Sequence, residues 1–191
     1  KRMLAYSTIS QMGFLLLGLV PGVVHGNTVS AANAYGSAMF YILTYVVTTL
    51  GSFGLIMLMA REGFEADSIS DLAGLNQRSP LLAAVMAVFM FSLAGIPPTI
   101  GFWAKLSVIE SVVGAGYTWI AVIAVLASLV GAFYYLRVVR VMYFAEPSEG
   151  ALALPNRSET VLISANALAI LVLGALPSAI MAVCLRALQA G

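Results

Sequence analysis

Long apolar runs alternate with short polar segments along almost the whole chain. Each run is long enough to cross the hydrocarbon core of a bilayer, which takes about 20 residues of helix. The pattern therefore predicts about five transmembrane helices in a single membrane domain that occupies residues 1–191. The predicted spans cover residues 3–20, 32–60, 81–113, 117–142 and 158–185. Pro21-Gly22 is predicted to end the first span, and Pro177 to kink the fifth or to start its last turn.

The third run is much longer than one crossing requires, and Gly95, Pro97 and Pro98 lie near its middle. Each proline removes a backbone donor and clashes with the preceding turn of helix. The third helix is therefore predicted to break at residues 95–98, into halves at about 81–94 and 99–113. Irregular backbone at membrane depth is tolerated only against protein or a wet cavity, so the break is expected to face the protein interior.

The most polar stretch of the chain covers residues 61–79. Within it, Ser68 and Asp71 have the spacing of a capping box, with Asp in place of the usual Glu or Gln. Ile69, Leu72 and Leu75 follow at helical spacing. A short interfacial helix is predicted there.

Composition places the protein in lipid. Hydrophobic residues make up 61% of the chain and charged residues only 9%, and the mean hydropathy is +1.00. A soluble domain carries about 25% charged residues, so the fold class is predicted to be an all-α integral membrane protein, with the lipid bilayer around most of its surface. The net charge of +1 excludes the basic surface that nucleic acid requires. With Cys184 as the single cysteine, no metal-ligand set is recognisable, and no metal or cofactor site is expected in this chain.

Lysine and arginine are distributed unevenly between the two sides of the predicted bundle. One side carries Lys1, Arg2, Arg61, Arg78, Arg137, Arg140 and Arg157, whereas the other carries only Arg186. Because basic residues accumulate in cytoplasmic loops, the N-terminal end is predicted to be cytoplasmic and the C-terminal end to lie across the membrane. The chain starts with Lys1 and runs directly into an apolar helix, so it is expected to be the C-terminal part of a longer chain.

Lys105 is the strongest candidate for chemistry. At about 1.5 Å per residue it lies roughly 9 Å into the second half-helix, too deep for its ammonium to reach the headgroups easily. An ionisable residue at such depth is a functional-site candidate. Removal from water disfavours the ammonium, so the lysine can lose and regain a proton. We interpret Lys105 as a proton relay; the alternative is a structural lysine paired with a carboxylate outside this sequence.

Glu110 is the other charged residue of the same half-helix. It stands about 140° around the helix from Lys105, so the two are not expected to pair. Glu110 is either a solvated group at the outer interface or the end of an exit path.

Hydroxyl groups line one face of the second predicted helix and, more sparsely, of the first. Such groups bond to neighbouring helices or hold a file of water molecules, and the spacing alone leaves both readings open. The stripe includes Tyr41, Thr44, Tyr45 and Thr48 on the second helix, and Ser7 and Gln11 on the first.

Three ordered motifs resemble the proton-translocating membrane subunits of respiratory complex I and their Mrp antiporter relatives. They are KRMLAYSTISQMG at residues 1–13, ISDLAGLN at 69–76 and SLAGIPPTIGFWAK at 92–105. The resemblance thins after about Glu146. Full-length members have about fourteen helices, so the resemblance implies that this chain is the last five. Where sister subunits carry histidines and a lysine on the second helix, this chain has Tyr41, Tyr45 and Thr49, which favours one subunit type.

The resemblance also implies roles for individual residues. Lys105 matches the lysine of the broken helix, the terminal proton site that communicates with the outer side. Lys1 matches a lysine near the cytoplasmic uptake side. The key glutamate and two further lysines are expected upstream of this sequence.

At the level of the assembly, the resemblance implies a subunit of a proton-translocating NADH:quinone reductase in a bacterial inner membrane. The N-terminal end is then cytoplasmic and the C-terminal end periplasmic. Other membrane subunits of complex I are the expected partners, and protons are the transported species. NADH, quinone, FMN and iron–sulfur clusters are expected in partner subunits, with no redox centre in this chain.

Three alternatives stay open at this point. The chain could belong to a cation/proton antiporter without a redox partner, or to a formate- or hydrogenase-linked membrane complex that uses the same module. A purely structural scaffold is the third, and a Lys105 substitution without effect would favour it.

Overall fold

A computed structural model of the protein describes residues 1–25, 28–60, 68–147 and 155–189. All regular structure in these residues is helical. The α-helices are α1 (Arg2–His25), α2 (Thr28–Met59), α3 (Leu75–Arg78), α4 (Pro80–Ala94), α5 (Ile100–Gly114), α6 (Thr118–Phe144), α7 (Arg157–Ala175) and α8 (Pro177–Gln189). One 3₁₀ helix, Ile69–Leu72, precedes α3.

Four of these helices, α1, α2, α6 and α7, are long and apolar enough to cross a membrane. The third predicted span corresponds to α4 and α5 in succession. These two helices are shorter, and the predicted break separates them. The prediction of an all-α membrane protein is confirmed. So is the division of the third span, whose observed halves agree with the predicted ones to within a residue.

The first helix continues past the residue at which it was predicted to stop. Pro21 lies inside α1, which ends at His25. The prediction that Pro21-Gly22 ends the helix is therefore wrong. A proline inside a transmembrane helix removes one hydrogen bond, and a neighbouring helix supports the bend that results. Here the ring of Tyr35 in α2 packs so close to Gly22 that an added Cβ would lie 2.9 Å from it.

The fifth predicted span consists of two helices. The chain leaves helical geometry at Leu176, and Pro177 begins α8, a position that suits proline because the first turn needs no backbone donor. A single fifth helix through residue 185 is therefore wrong, and α7 alone makes the crossing. The shorter α8 packs against α2, and Cys184 is fully buried in that contact region.

The polar segment before the broken helix also divides. The Asp71 carboxylate accepts a hydrogen bond from the Ser68 backbone N–H at 2.9 Å, which confirms the capping interaction. The turn that follows is a 3₁₀ helix. Gly74, at φ +65°, separates this turn from α3. An added Cβ at Gly74 would lie 2.7 Å from the backbone of Pro147, so this turn packs tightly under the end of α6.

The core of the bundle is built around α4, the most buried of the helices. It contacts α2, α5, α6 and α7. Small residues let the helices that surround it approach closely, as is usual in membranes. At the crossing of α1 and α2, an added Cβ on Gly18 would lie 3.2 Å from the Cβ of Ala38. The large apolar side chains of α6 point outward, which suits a lipid-facing or helix-facing surface.

Candidate functional site

The break in the third span has a defined backbone course. Gly95, at φ +81°, caps α4, and its N–H donates to the Phe91 carbonyl at 2.9 Å. The Ile96 N–H donates to the same carbonyl at 2.9 Å. The Pro97-Pro98 peptide bond is cis, and α5 then begins at Ile100. The chain thus leaves one helix and enters the next within a few residues.

The two prolines leave two carbonyls without helical donors. In an α-helix the carbonyl of residue i accepts from the N–H of residue i+4. For Leu93 and Ala94 those donors would be residues 97 and 98, and both are proline. Two main-chain acceptors therefore point into the bundle at membrane depth, where a buried carbonyl needs another partner.

Lys105 supplies that partner. Its Nζ donates to the Leu93 carbonyl at 3.0 Å and to the Ala94 carbonyl at 3.2 Å. Its third bond goes to the Oγ of Ser128 in α6 at 2.9 Å. The ammonium also lies 5.2 Å from the centroid of the Phe14 ring, within cation–π range. An ammonium has three donors, and all three are used.

Glycines allow this close packing. An added Cβ on Gly95 would lie 2.8 Å from Cδ of Lys105, so the lysine's aliphatic chain passes directly over Gly95. An added Cβ on Gly101 would lie 2.0 Å from the Ser92 carbonyl oxygen, so the two half-helices touch there. At Gly174 in α7 the same atom would lie 2.1 Å from the carbonyl oxygen of Pro98.

The break faces the interior only in part. The carbonyls of Leu93 and Ala94 are on its buried side, whereas Pro97 and Pro98 are exposed in this chain. The expectation that the break faces the protein interior therefore holds for the two carbonyls and stays a prediction for the two prolines. Their exposure leaves no backbone donor unpaired, because proline has none. On the adjacent face, the Trp103 indole N–H donates to the Gly174 carbonyl at 2.8 Å and ties α5 to α7.

A small cavity adjoins Lys105. It holds about 20 Å³ of space for the centre of a water molecule. The Oγ1 of Thr48 and the Oγ of Ser92 lie 3.1 Å apart. The Oγ1 of Thr44 is buried and has no hydrogen-bond partner within the described part of the protein. The lining residues are Gln11, Tyr41, Thr44, Tyr45, Thr48, Ser92, Leu93, Gly101, Ala104 and Lys105.

A chain of hydrogen bonds connects this site with the Lys1 end of α1. The Gln11 amide donates to the Leu93 carbonyl at 3.1 Å and to the Tyr135 hydroxyl at 3.2 Å. The hydroxyls of Tyr135 and Ser7 are hydrogen-bonded to each other. The Tyr41 hydroxyl donates to the Gln11 side-chain oxygen. The Leu93 carbonyl thus accepts from Gln11 and from Lys105 together.

The Ser7 end of this hydrogen-bonded chain opens into a groove between α1 and α6. The groove has a volume of about 560 Å³ and includes Ser7 and Tyr135 among its lining residues. Arg2 and Arg137 also line it. Tyr45, the remaining member of the predicted stripe, donates from its hydroxyl to Oγ1 of Thr8 at 2.9 Å and lies closer to this end of the bundle.

The sequence of this chain is similar to those of a known protein family, and the matched region contains the site. Residues 1–131 match the family described as NADH:quinone oxidoreductase/Mrp antiporter, transmembrane. The chain belongs to this family. Its match covers α1, the hydroxyl stripe of α2, the broken helix and Lys105.

Curated members of the family include close relatives. The chain is 57% identical over 189 residues to NADH-quinone oxidoreductase subunit N of Paraburkholderia phymatum, an alignment that covers 99% of this chain and 38% of the relative. It is 58% identical over 188 residues to subunit N of Herminiimonas arsenicoxydans, with 98% and 38% covered. The chain therefore spans less than two-fifths of the length of the curated relatives it matches.

Solved structures of family members have the same fold. A chain of respiratory complex I from Thermus thermophilus superimposes with a TM-score of 0.76 at 25% identity, over 97% of this chain and 38% of that one. A chain of the Mrp complex from Dietzia sp. gives a TM-score of 0.79 at 22% identity, over 97% and 41%. The likeness to the Mrp chain, at this identity, concerns the fold alone.

The site residues that were predicted from the sequence do not all lie at one site in the structure. Lys105, Gln11, Tyr41, Thr44, Tyr45 and Thr48 line one cavity, and Ser7 reaches it through Tyr135. Lys1 lines a separate cavity of about 30 Å³ with Ser68, at the far end of α1. Glu110 is exposed, one turn before α5 ends at Gly114, and it is absent from the lining of the Lys105 cavity.

Two residues of the site were missed by the sequence analysis, Ser128 and Tyr135 in α6. Their side chains contact Lys105 and Gln11 respectively. They are seven residues apart, which places them on one face of the helix. In an otherwise apolar helix that spacing of two hydroxyls was the available signal, and it predicts a polar face toward the bundle.

The described residues contain no group of three or more His, Cys, Asp or Glu side chains that could hold a metal ion.

Proposed function

We propose that the chain is part of a subunit-N-type membrane subunit of NADH:quinone oxidoreductase, and that it moves protons across a bacterial inner membrane. The membership of the family and the identity with curated subunit N sequences support the subunit type. A single observation carries the proton-transfer role. Lys105 is held by uncharged acceptors at a break in a transmembrane helix, beside a cavity lined by hydroxyls.

Lys105 acts in this proposal as a site that holds a proton and then releases it. Three hydrogen bonds and the Phe14 ring stabilise the ammonium. The hydrogen-bond partners that the described residues give Lys105 are two main-chain carbonyls and a hydroxyl, all of them uncharged. A lysine of this kind responds to a change of charge nearby, because an added positive charge favours the neutral amine and an added negative charge favours the ammonium.

The route by which a proton reaches Lys105 follows the observed hydrogen bonds. It begins at the groove between α1 and α6 and continues through the hydroxyls of Ser7 and Tyr135 to water in the Lys105 cavity. The Gln11 amide donates to Tyr135, so it positions that hydroxyl and does not itself carry the proton. The cavity exceeds the space of about 10–15 Å³ that one water molecule requires. A water there would satisfy the buried hydroxyl of Thr44 and complete a path that protons can follow.

The energy for transfer comes, in this proposal, from reactions outside the chain. Quinone reduction in partner subunits changes the charge at one end of a row of buried ionisable groups, and Lys105 is a member of that row. The redox groups, which are NADH, quinone, FMN and iron–sulfur clusters, belong to those partners. The other membrane subunits of the complex would contact the exposed apolar faces of the bundle.

Two further roles belong to this proposal. With the Lys1 end in the cytoplasm, Lys1 lies on the uptake side, roughly 20 Å along α1 from Phe14 and the site. Glu110 lies on the periplasmic side, where an exposed carboxylate can accept a proton that has left Lys105. The basic residues on the Lys1 side support this orientation.

The test is to substitute Lys105 in the full-length subunit within the assembled complex. We expect Lys105→Ala to lower NADH-driven proton uptake into inverted membrane vesicles by about tenfold or more, because a positioned proton-transfer group is lost. Lys105→Arg should also be defective, since arginine keeps its proton at all accessible pH. Arg186→Ala, which removes an exposed cation distant from the site, is the control. Pumping at the control rate by both Lys105 variants in assembled complexes would overturn the proposal.

A further inference from the structure

The third hydrogen bond of Lys105 differs in kind from the other two. Leu93 and Ala94 present main-chain carbonyl oxygens, which only accept. Ser128 presents a hydroxyl, 2.9 Å from Nζ, which accepts through its oxygen and donates through its proton. Ser128 comes from α6, whereas both carbonyls belong to the end of α4.

This difference matters when the lysine changes protonation state. The ammonium needs three acceptors, and all three groups serve it equally. The neutral amine has two N–H donors and one lone pair, and that lone pair needs a donor. Neither carbonyl can supply one. Of the hydrogen-bond partners that the described residues give Lys105, only Ser128 can turn its proton toward Nζ.

Thr44 also lines the cavity, but its Oγ1 is not hydrogen-bonded to Lys105. Other hydroxyls that line the cavity are engaged with partners elsewhere. Ser92 is paired with Thr48, and the Tyr41 hydroxyl donates to Gln11. Ser128 can release its own proton toward Nζ without breaking such a pair, since a helical serine otherwise directs it at the carbonyl of the preceding turn. Rotation about one side-chain bond is therefore enough to convert Ser128 from acceptor to donor.

We propose that Ser128 is the positioning residue that holds Lys105 in both of its protonation states, an inference that rests on the proton-transfer role proposed for Lys105. With the ammonium, Ser128 accepts a hydrogen bond. Once Lys105 has lost its proton to the exit side, Ser128 donates to the free amine and keeps Nζ beside the carbonyls of the break. The amine is then in place to take the next proton that arrives through water in the cavity.

The same helix also contacts the supply side of the site. Tyr135, on the same face of α6 as Ser128, bonds to Gln11 and Ser7. Hence α6 fixes the distance between the last groups of the supply route and the amine that they serve. A loss of the Ser128 hydroxyl would leave the lone pair of the neutral lysine without this donor and would weaken the hold on Nζ beside the carbonyls.

The experiment compares Ser128→Thr with Ser128→Val in the full-length subunit of the assembled complex. The two replacements have nearly the same shape and differ by one hydroxyl. Proton uptake into inverted vesicles and NADH-dependent reduction of a water-soluble quinone are measured in parallel, with the amount of assembled complex as a third reading. Ser164→Ala in α7 is the control, because it removes a serine hydroxyl that has no hydrogen-bond partner in the described protein.

We expect Ser128→Val and Ser128→Ala to lower proton uptake per assembled complex by roughly 2- to 10-fold, the effect of one lost hydrogen bond. Ser128→Thr should retain most of the uptake. Equal activity of the Thr and Val variants, whether both high or both low, would overturn the role of the hydroxyl. Lys105→Ala, measured beside them, separates the two proposals: a defective Lys105 variant with a fully active Ser128→Val variant rejects only the role of Ser128.

Discussion

The Nζ atom of Lys105 lies 3.0 Å from the main-chain carbonyl oxygen of Leu93, although the two residues belong to different helices. The bond exists because residue 97, the helical donor that Leu93 would otherwise have, is a proline. The break and the buried lysine are therefore parts of one arrangement. The prolines free the carbonyls, and the carbonyls hold the ammonium where water is scarce.

Pro97→Ala tests this relation directly. The new N–H at residue 97 would compete with Lys105 for the Leu93 carbonyl and would extend α4 into the break. We expect proton uptake per assembled complex to fall by roughly 2- to 10-fold, corresponding to the weakening of one hydrogen bond. Vesicles that contain the variant complex, driven by NADH, give the measurement.

Pro80→Ala is the matched control for Pro97→Ala. Pro80 is the first residue of α4, where no backbone donor is needed, so its loss should leave uptake unchanged. If Pro97→Ala pumps as well as Pro80→Ala does, the freed carbonyl is not what holds Lys105.

The sequence was sufficient to predict the helices because lipid imposes a simple rule. A chain in the bilayer must satisfy its backbone within helices, so apolar runs of sufficient length translate directly into spans. Two boundaries were wrong, at Pro21 and at Leu176. In both cases the outcome depends on whether a neighbouring helix supports the irregularity. Packing of that kind, such as Tyr35 over Gly22, is a tertiary property that local sequence does not encode.

The site was predictable where a polar stripe or the cost of burying a charge singled out a residue. Lys105 stood out because a charge in an apolar helix is expensive. Its partners did not, since two of them are main-chain carbonyls and the third is Ser128, one serine in α6. Tyr135 was missed as well: its neighbour Tyr134 is another tyrosine, and only the rotation of α6 separates the buried side chain from the exposed one.

Gly101→Ala is expected to separate the two halves of the broken helix. The added methyl carbon would lie 2.0 Å from the Ser92 carbonyl oxygen, which cannot move without shifting α4. We expect a loss of about 1–3 kcal/mol in stability, the usual effect of forced overpacking. Thermal denaturation of the purified complex, read at this subunit, is the measurement.

Gly114→Ala provides the comparison for Gly101→Ala on the same helix. No atom lies within 4 Å of the Cβ that it would add, so it should be neutral or slightly stabilising. A Gly101→Ala variant that melts at the temperature of Gly114→Ala would show that the half-helices are further apart than described here.

The orientation of the chain is testable by cysteine labelling. Ser68, next to the 3₁₀ helix, should react from the cytoplasmic side when it is changed to cysteine, and a cysteine at Asn27 should react from the periplasmic side. Asn27 lies outside the described residues and is chosen for its position between α1 and α2. A Cys184→Ser background removes the single native thiol. A membrane-impermeant maleimide applied to intact cells and to inverted vesicles distinguishes the sides, and the opposite pattern would reverse the proposed direction of transport.

Tyr135→Phe tests the route by which protons reach Lys105. The change removes a buried hydroxyl that bonds to Ser7 and to Gln11, and it keeps the aromatic ring that packs in the core. Gln11 would keep its bond to the Leu93 carbonyl, so the position of that carbonyl beside Lys105 should not change. Only the supply of protons is interrupted.

We expect Tyr135→Phe to lower proton uptake by roughly 2- to 10-fold, as for one lost hydrogen bond, with normal assembly. Tyr134→Phe removes the hydroxyl of the adjacent residue, which lines the groove with a side chain that is 47% exposed, and it should have a smaller effect than Tyr135→Phe. The double variant Tyr135→Phe with Ser128→Val adds a further criterion. If supply and positioning are separate steps acting on one lysine, the second substitution will have less effect in the presence of the first than alone, because the slower step then limits the rate. Strictly multiplicative losses would mean that the two hydroxyls act at independent places, and the route from Ser7 through Tyr135 to Lys105 would have to be abandoned.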